Sequence, residues 1–421
     1  MPGDSNAKSY ARRMIERARE LRTSDAFEPV QSSVPAHVTR RDRQFSRKRI
    51  RQTVIVFIIL CVIAVGLSLL LPYYGLNSNG MGGQIYPPDQ VAQCWGLWFY
   101  TTFGPLFDPT LSNQVNAMVA EFSETHDVIY SLVIQRGAVT LVIIACGFLL
   151  AISGLLFQSS FRNPLATPSM LGVSDGVTLG CIVYAALGFS QATDNLGMYF
   201  ACVYGFGAGA VVVVLLLSRV LSGSKTYNVF DMLLLGTVIC QLLGGINSYI
   251  TNFGMDTETW DNYYDLTQAG SVLGEPSTWL IVLIVTLATA IPVYILRFKL
   301  NLISFSDAEG RMMGVRTGSL RIVALVLGSA MQLAALATIG QVAMLSLAVP
   351  FIVRYLMPSE FRYQLLGNFL LGVMVLLVAM AIQHFTIIGA VTVPIGTLVS
   401  ILIIPFFVWA VALQRSSWGG E

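Results

Sequence analysis

Residues 136–176 read RGAVTLVIIACGFLLAISGLLFQSSFRNPLATPSMLGVSDG, and this stretch decides the fold. Its first half is an apolar run long enough to cross a hydrocarbon layer of about 30 Å, which takes about 20 helical residues. Gly147 and Gly154 lie within that run, and small residues let membrane helices approach closely. Pro164 and Pro168 then interrupt the helix. The pattern predicts a tightly packed membrane helix followed by a break.

The composition extends this prediction to the whole chain. Of 421 residues, 55% are hydrophobic and only 11% are charged, and the mean hydropathy is +0.68. These values are far from those of a soluble domain of this length. The sequence therefore predicts an all-α polytopic membrane protein with about ten transmembrane helices. The predicted spans are approximately 53–71, 136–158, 169–189, 196–218, 229–250, 277–297, 321–337, 340–357, 364–384 and 394–413.

Basic residues are distributed unevenly over this topology. With the N-terminus inside, 24 of the 25 lysines and arginines fall on the cytoplasmic side, and Arg136 is the exception. Eleven acidic residues fall in the external segments. Because cationic loops near membrane helices are retained in the cytoplasm, the count predicts a multi-pass protein whose N- and C-termini are both cytoplasmic.

The same topology divides the chain into segments. Residues 1–52 form a basic cytoplasmic N-terminal extension, predicted to contact membrane lipid rather than nucleic acid. Residues 53–413 form the transmembrane domain, with a long external segment at 72–135 and a cytoplasmic loop at 298–320. Residues 414–421 form a cytoplasmic tail.

Motifs for catalysis and metal binding are missing from the sequence. The six cysteines show no C-x-x-C spacing. The stretch SGSKT at 222–226 lacks the glycine directly before the lysine of a phosphate-binding loop. The spans also have almost no acidic residues, which argues against a proton or sodium relay. The sequence predicts a non-enzymatic chain without its own cofactor, powered, if it pumps, by another subunit.

The quoted stretch closely resembles the FecCD-type permeases of ATP-binding cassette importers. In that family the helix begins R-L-P-R, runs through A-L-S-G-x-x-x-Q and ends N-P-L-A-x-P-x-x-L-G-V-x-x-G. This chain has AISGLLFQ at 151–158 and NPLATPSMLGVSDG at 163–176. Residues 300–315, 340–354 and 393–397 resemble later family motifs in the expected order. The resemblance covers roughly residues 130–413 and implies a type II importer permease fold in a bacterial cytoplasmic membrane.

The resemblance also implies a function. The chain would be a membrane-spanning permease subunit that translocates an iron chelate, either ferric siderophore or haem, or a similarly bulky metal chelate by ATP-driven alternating access. Its partners would be a cytoplasmic ABC ATPase dimer, which binds ATP and Mg, a second permease, identical or paralogous, and an extracytoplasmic substrate-binding protein. Cobalamin import, a secondary transporter without an ATPase, and a receptor or scaffold are the alternatives.

Candidate site residues follow from the matched motifs. The resemblance assigns binding-protein docking to Arg136. It assigns coupling to the ATPase to Ser306, Asp307, Ala308, Glu309, Arg311, Met312, Met313 and Gly314. The second span and its neighbours are expected to line the path, although packing between helices is an equal alternative for its polar residues. These candidate lining residues are Gln158, Ser159, Ser160, Asn163 and Pro164.

Three departures from the family pattern affect these assignments. Val139 stands where the family has its second arginine, Gln341 where it has proline after Gly340, and Phe351 where it has histidine. Relatives grip the binding protein with external arginines, so docking here is expected to be weaker, differently arranged or shared with a non-identical permease.

Overall fold

The structure is a computed structural model, and residues 50–421 form one compact unit. It describes residues 47–70, 73–76, 83–86, 89, 91–97, 111–221, 229–268, 276–304, 312–313, 317–342, 344–385 and 393–416. Residues 1–46 of the predicted N-terminal extension and 417–421 of the predicted tail lie outside these ranges.

Helices dominate the described ranges, which confirms the all-α prediction. The helices are α1 (Arg47–Leu70), α2 (Leu111–Phe161), α3 (Val173–Ala186), α4 (Leu196–Leu221), α5 (Val229–Tyr249), α6 (Thr257–Gln268), α7 (Pro276–Leu300), α8 (Thr317–Ile339), α9 (Leu345–Leu356), α10 (Phe361–Phe385) and α11 (Ile395–Ser416). A small antiparallel hairpin pairs β1 (Tyr73–Leu76) with β2 (Gly83–Tyr86), and residues 91–97 add a short helix.

Eight helices in the described ranges are long and apolar enough to cross a membrane. The other two predicted spans, 169–189 and 340–357, form the shorter apolar helices α3 and α9, of 14 and 12 residues. At 1.5 Å per residue these measure about 21 and 18 Å, which is less than the hydrocarbon thickness. Ten apolar helices therefore exist as predicted, but α3 and α9 are too short to cross alone.

Each short helix follows a backbone break. Before α3, Pro168–Leu171 form a 3₁₀ turn and Gly172 adopts a left-handed φ of 79°. Before α9, Gly340 and Met344 have φ values of 78° and 67°. Irregular backbone at membrane depth is tolerated only where its polar groups are satisfied, and the Gln341 N–H accordingly donates to the Thr267 carbonyl of α6 at 2.9 Å.

The second span is the C-terminal part of a longer helix. α2 has 51 residues, about 76 Å of helix, and begins at Leu111 within the segment predicted to be external. The membrane-crossing part is Gln135–Phe161. The segment predicted to be external thus includes helix that continues without interruption into the membrane-crossing part.

α2 is the centre of the bundle and packs against α7, α8, α9 and α10. A Cβ on Gly147 would lie 2.8 Å from the Val373 Cα of α10, and a Cβ on Gly154 would fall on the Ser346 carbonyl of α9. The helix backbones therefore meet where the sequence has glycine, which confirms the predicted close packing. A second core forms beside this one, where α3 packs between α4, α5 and α6.

Candidate functional site

The predicted coupling loop is described at two of its eight candidate residues. Met312 and Met313 are 81% and 47% exposed, an unusual placement for apolar side chains that suits a contact with a partner. Ser306, Asp307, Ala308, Glu309, Arg311 and Gly314 lie outside the described residues. The coupling role of this loop therefore stays a prediction.

The start of this loop is tied to two membrane helices. α7 ends in a 3₁₀ turn at Asn301–Ser304. Arg162, at the end of α2, donates from Nε to the Ile303 carbonyl at 3.2 Å. The Asn301 Oδ1 accepts a hydrogen bond from the Phe361 N–H at the start of α10, at 2.6 Å. A displacement of the loop would therefore reach α2 and α10 directly.

The candidate lining residues at the end of α2 separate into two groups. Gln158 and Ser160 are fully buried, and Gln158 donates from Nε2 to the Leu347 carbonyl of α9 at 2.9 Å. Ser159, Asn163 and Pro164 are partly exposed, and the Asn163 Oδ1 accepts from the Leu165 N–H at 3.0 Å. The hydrogen bond of Gln158 agrees with the packing alternative, and a lining role for all five residues stays a prediction.

Arg136, the candidate docking residue, lies in α2 and is only 6% exposed. Its carbonyl accepts a hydrogen bond from Thr140 Oγ1 at 2.8 Å. Docking on Arg136 therefore requires the arginine side chain to become accessible, and the assignment stays a prediction.

A surface that the sequence interpretation missed lies on α5. Its window of membrane-spanning residues is only 11% buried, yet polar and small residues recur on one exposed side. We name this side the α5 stripe, which consists of Thr237, Gln241, Gly245 and Ser248. Steps of four, four and three residues keep these positions on one helical face.

Lipid is a poor environment for this stripe. The Gln241 amide makes no hydrogen bond within the described part of the chain, and an unsatisfied amide in hydrocarbon is costly. Exposed apolar side chains occupy the neighbouring face of α5, at Val238, Leu242 and Ile246. The helix therefore has one side suited to lipid and another suited to water or to a second protein surface.

The polar surface continues onto neighbouring elements. Ser174, Asp175 and Thr178 are partly exposed in the first turns of α3. Gln341, the residue that replaces the family's proline, donates from Nε2 to the Ser174 carbonyl at 3.2 Å and to Thr178 Oγ1 at 3.0 Å. The polar positions of α3, the break before α9 and the α5 stripe together form the main candidate for a translocation surface. The sequence has one signal that could have indicated this surface, which is the recurrence of polar or small residues every three or four positions in the fifth predicted span.

Acidic residues of the connecting loops are held in place by hydrogen bonds. The Asp194 carboxylate accepts the N–H groups of Gln191 and Ser190 at 2.8 and 2.9 Å, and these bonds lower its pKa. Hydrogen bonds from the Thr259 side chain and N–H likewise lower the pKa of Asp256. Both carboxylates are stabilised in the charged form at helix connections that the predicted topology places outside.

Comparisons with known proteins place the chain among transport permeases. The model of the FecCD transport family matches residues 97–412. The hemin transport system permease protein HmuU of Yersinia pestis is 31% identical over 284 residues, which cover 66% of this chain and 82% of the relative. The Fe(3+) dicitrate transport system permease protein FecD of Escherichia coli is 26% identical over 301 residues, covering 71% and 90%. The vitamin B12 import system permease protein BtuC of Citrobacter koseri is 25% identical over 276 residues, covering 66% and 81%.

A solved structure shows the same fold. It is described as a metal-chelate type ABC transporter in an inward-facing conformation, and it aligns with a TM-score of 0.64 and 20% identity. The alignment covers 86% of this chain and 99% of that one. The family match spans most of the chain, the fold agrees with it, and this protein belongs to the FecCD transport family.

Proposed function

We propose that this permease imports an iron chelate, either a ferric siderophore or haem, or a similarly bulky metal chelate, by ATP-driven alternating access. The α5 stripe is the observation on which the proposal rests. A polar stripe on an exposed membrane helix needs water or protein against it, and a path through the membrane supplies water. The relatives named above transport hemin, ferric dicitrate and vitamin B12, so cobalamin is the alternative cargo.

The proposed assembly contains partners that supply energy and substrate. A dimer of ATPase subunits binds ATP and Mg and clamps on nucleotide, and its movement enters the permease at residues 306–314. The hydrogen bonds of Arg162 and Asn301 at the base of this loop pass the movement to α2 and α10. A second permease completes the path, and an extracytoplasmic binding protein delivers the chelate. The membrane is the bacterial cytoplasmic membrane, with both termini inside.

Alternating access follows from this arrangement. The α2 core is held by buried hydrogen bonds and glycine contacts, so it moves as a unit. The breaks at Gly172 and at 340–344 are places where the backbone of α3 and α9 can change direction. Nucleotide-driven displacement of the loop would tilt these elements and open the polar surface to one side and then to the other.

Substitution of Met312 tests the proposal. The permease is reconstituted with its ATPase and binding protein, and uptake of a ferric hydroxamate, haem and cobalamin is measured with and without ATP. Met312→Asp puts a charge on an exposed apolar side chain that is proposed to contact the ATPase. We expect ATP-driven uptake to fall at least about tenfold, because the loss of a hot-spot residue weakens binding at an interface by a factor of this order. Met198→Asp is the matched control, because Met198 is also exposed but lies at the opposite end of the bundle, at the start of α4.

The outcomes separate the candidate classes of protein. ATP-dependent uptake that is lost in Met312→Asp and kept in Met198→Asp supports the importer. Uptake that persists after the ATPase is inactivated would contradict it and indicate a secondary transporter. Absence of any uptake, with the chain purified alone from native membranes, would indicate a receptor or scaffold.

A further inference from the structure

Asp175 is a carboxylate within the membrane-embedded part of the bundle. It stands in the first turn of α3, about 16 Å along the helix axis from Ala186, and is half-buried. No lysine or arginine of the described ranges forms an ion pair with it. An intramembrane carboxylate without a basic partner is costly unless it borders water or a ligand, so such groups usually serve transport.

The Asp175 side chain is held against one face of α5. Its Oδ1 lies 3.8 Å from the position that a Cβ on Gly244 would occupy. On the same side of α5, the Cys240 thiol donates to the Ser169 carbonyl at 2.9 Å. Asn247 donates from Nδ2 to the Asp175 carbonyl at 2.9 Å. The carboxylate therefore lies beside α5, and the backbone of Asp175 is tied to that helix through Asn247.

Asn247 adds a second electronegative oxygen at this place. The residue is only 6% exposed, and its buried Oδ1 has no hydrogen-bond partner among the residues that the structure describes. Nδ2 of the same amide contacts the backbone carbonyl of Asp175, so the unpaired oxygen lies near the first turn of α3, where the carboxylate also stands. A buried acceptor without a donor indicates a missing partner that brings hydrogen-bond donors or positive charge.

The contact face of Asp175 borders the α5 stripe directly. The side of α5 that faces Asp175 contains Cys240, Gly244 and Asn247. The next residue after each of them belongs to the stripe, and consecutive side chains of an α-helix point in directions about 100° apart. The exposed polar side of α5 therefore begins where the contact with α3 ends. A negative charge fixed at this border acts on whatever passes along the stripe.

We propose that the half-buried Asp175 carboxylate, with the buried Asn247 amide behind it, makes one wall of the translocation path electronegative, and that this wall favours chelates of zero or positive net charge over polyanionic chelates. The inference rests on the proposed function, because it needs the α5 stripe to face an aqueous path. Fixed charges on the wall of a pore select by sign, since their field is screened poorly inside a low-dielectric protein. The substrate class is therefore a neutral or cationic metal chelate, such as a ferric hydroxamate.

The potential at the wall can be measured without knowledge of the substrate. Ser248→Cys is introduced with Cys240→Ala, and the full importer is treated with two methanethiosulfonates of similar size, one with a quaternary ammonium and one with a sulfonate. The ratio of the two modification rates, divided by the ratio for a small thiol in solution, reports the local potential. We expect this normalised ratio to favour the cationic reagent about tenfold, as for one charge at intermediate dielectric.

Two further variants assign the potential to Asp175. Asp175→Asn should bring the normalised ratio close to one, and Asp194→Asn, which removes a loop carboxylate, should leave it unchanged. A ratio of one in the importer that retains Asp175 would overturn the proposal, even if Asp175→Asn does not fold. Absence of reaction with either reagent would also overturn it, because the stripe would then be dry. ATP-driven uptake by the same importer, measured separately, reports on the proposed function in every case.

Discussion

The helices α2 and α5 are both membrane-crossing and both contain polar residues, yet the fold uses them in opposite ways. In α2, 72% of the membrane-spanning window is buried, against 11% in α5. Two polar side chains of α2 point into the protein, where Ser153 Oγ donates to Gln332 Oε1 of α8 at 3.0 Å and Gln158 donates to α9. The polar side chains of the α5 stripe are exposed, whereas Asn247 of the same helix is buried.

The difference teaches that polarity alone does not identify a path through a membrane protein. A buried polar side chain on a membrane helix connects neighbouring helices. An exposed one, repeated along the helix, requires a polar environment outside the chain. Exposure, which depends on tertiary structure, decides between the two roles, and substitutions in the two helices should therefore have opposite effects on folding and transport.

Glycine substitutions give the largest expected difference. In Gly154→Leu the side chain would overlap the Ser346 carbonyl, and overpacking of this kind costs roughly 3 kcal/mol or more. We expect little folded protein by size-exclusion chromatography in detergent. A Cβ on Gly245 would meet no atom within 4 Å, so Gly245→Leu should fold normally while reducing uptake, because it places a bulky side chain on the α5 stripe.

Gly205→Leu is the control for this pair, since a Cβ on Gly205 also meets open space but the residue belongs to α4 and not to the stripe. It should retain both folding and uptake. Normal folding of Gly154→Leu, or unchanged uptake by Gly245→Leu, would break the comparison between the helices.

Glutamine substitutions give a smaller difference of the same kind. Gln158→Leu removes the hydrogen bond to Leu347 and should cost about 1 kcal/mol of stability, with uptake per folded molecule unchanged. Gln241→Leu removes no hydrogen bond within the described chain, so stability should hold while uptake falls several-fold. Thermal unfolding in detergent measures the stability, and uptake in proteoliposomes measures the transport. A loss of stability in Gln241→Leu but not in Gln158→Leu would contradict the roles given to the two glutamines.

The smallest effect is expected at the Asp194 loop carboxylate, outside both helices. Hydrogen bonds lower its pKa in the fold, so its contribution to stability is present at neutral pH. That contribution disappears as the pH falls through the pKa of Asp194 in the folded protein, which lies below the ordinary aspartate pKa of about 4. The unfolding temperatures of Asp194→Asn and the unsubstituted protein should differ slightly at neutral pH and converge in acid. A difference that grows in acid would contradict this reading of the loop.

Much of the fold could be predicted from sequence because membrane helices are specified by local composition. The apolar runs predicted the eight membrane-crossing helices of the described ranges, and Gly147 and Gly154 indicated the close contacts of α2. The shortness of α3 and α9 could not be predicted in the same way, because their apolar runs continue through backbone breaks at Gly172 and Met344 that tertiary hydrogen bonds stabilise.

The candidate site was harder to predict. The matched motif drew attention to Gln158 and Ser160, which are fully buried. The α5 stripe lies in a span without a distinctive motif, and its polar residues become meaningful only when their exposure is known. Asp175 lies inside the matched motif, but its contact with α5 joins residues more than 60 positions apart.

The most direct test of the α5 stripe is cysteine accessibility in the assembled importer. Each variant also has the Cys240→Ala substitution, and each is treated with a membrane-impermeant aqueous thiol reagent. The stripe variants are Gln241→Cys and Ser248→Cys, and the α2 variants are Gln158→Cys and Ser160→Cys. The variants on the apolar side of α5 are Leu242→Cys and Ile246→Cys. Modification of the two stripe positions, with protection of the other four, is the predicted result. Modification at positions 158 and 160, with protection at 241 and 248, would place the path along α2 and contradict the account.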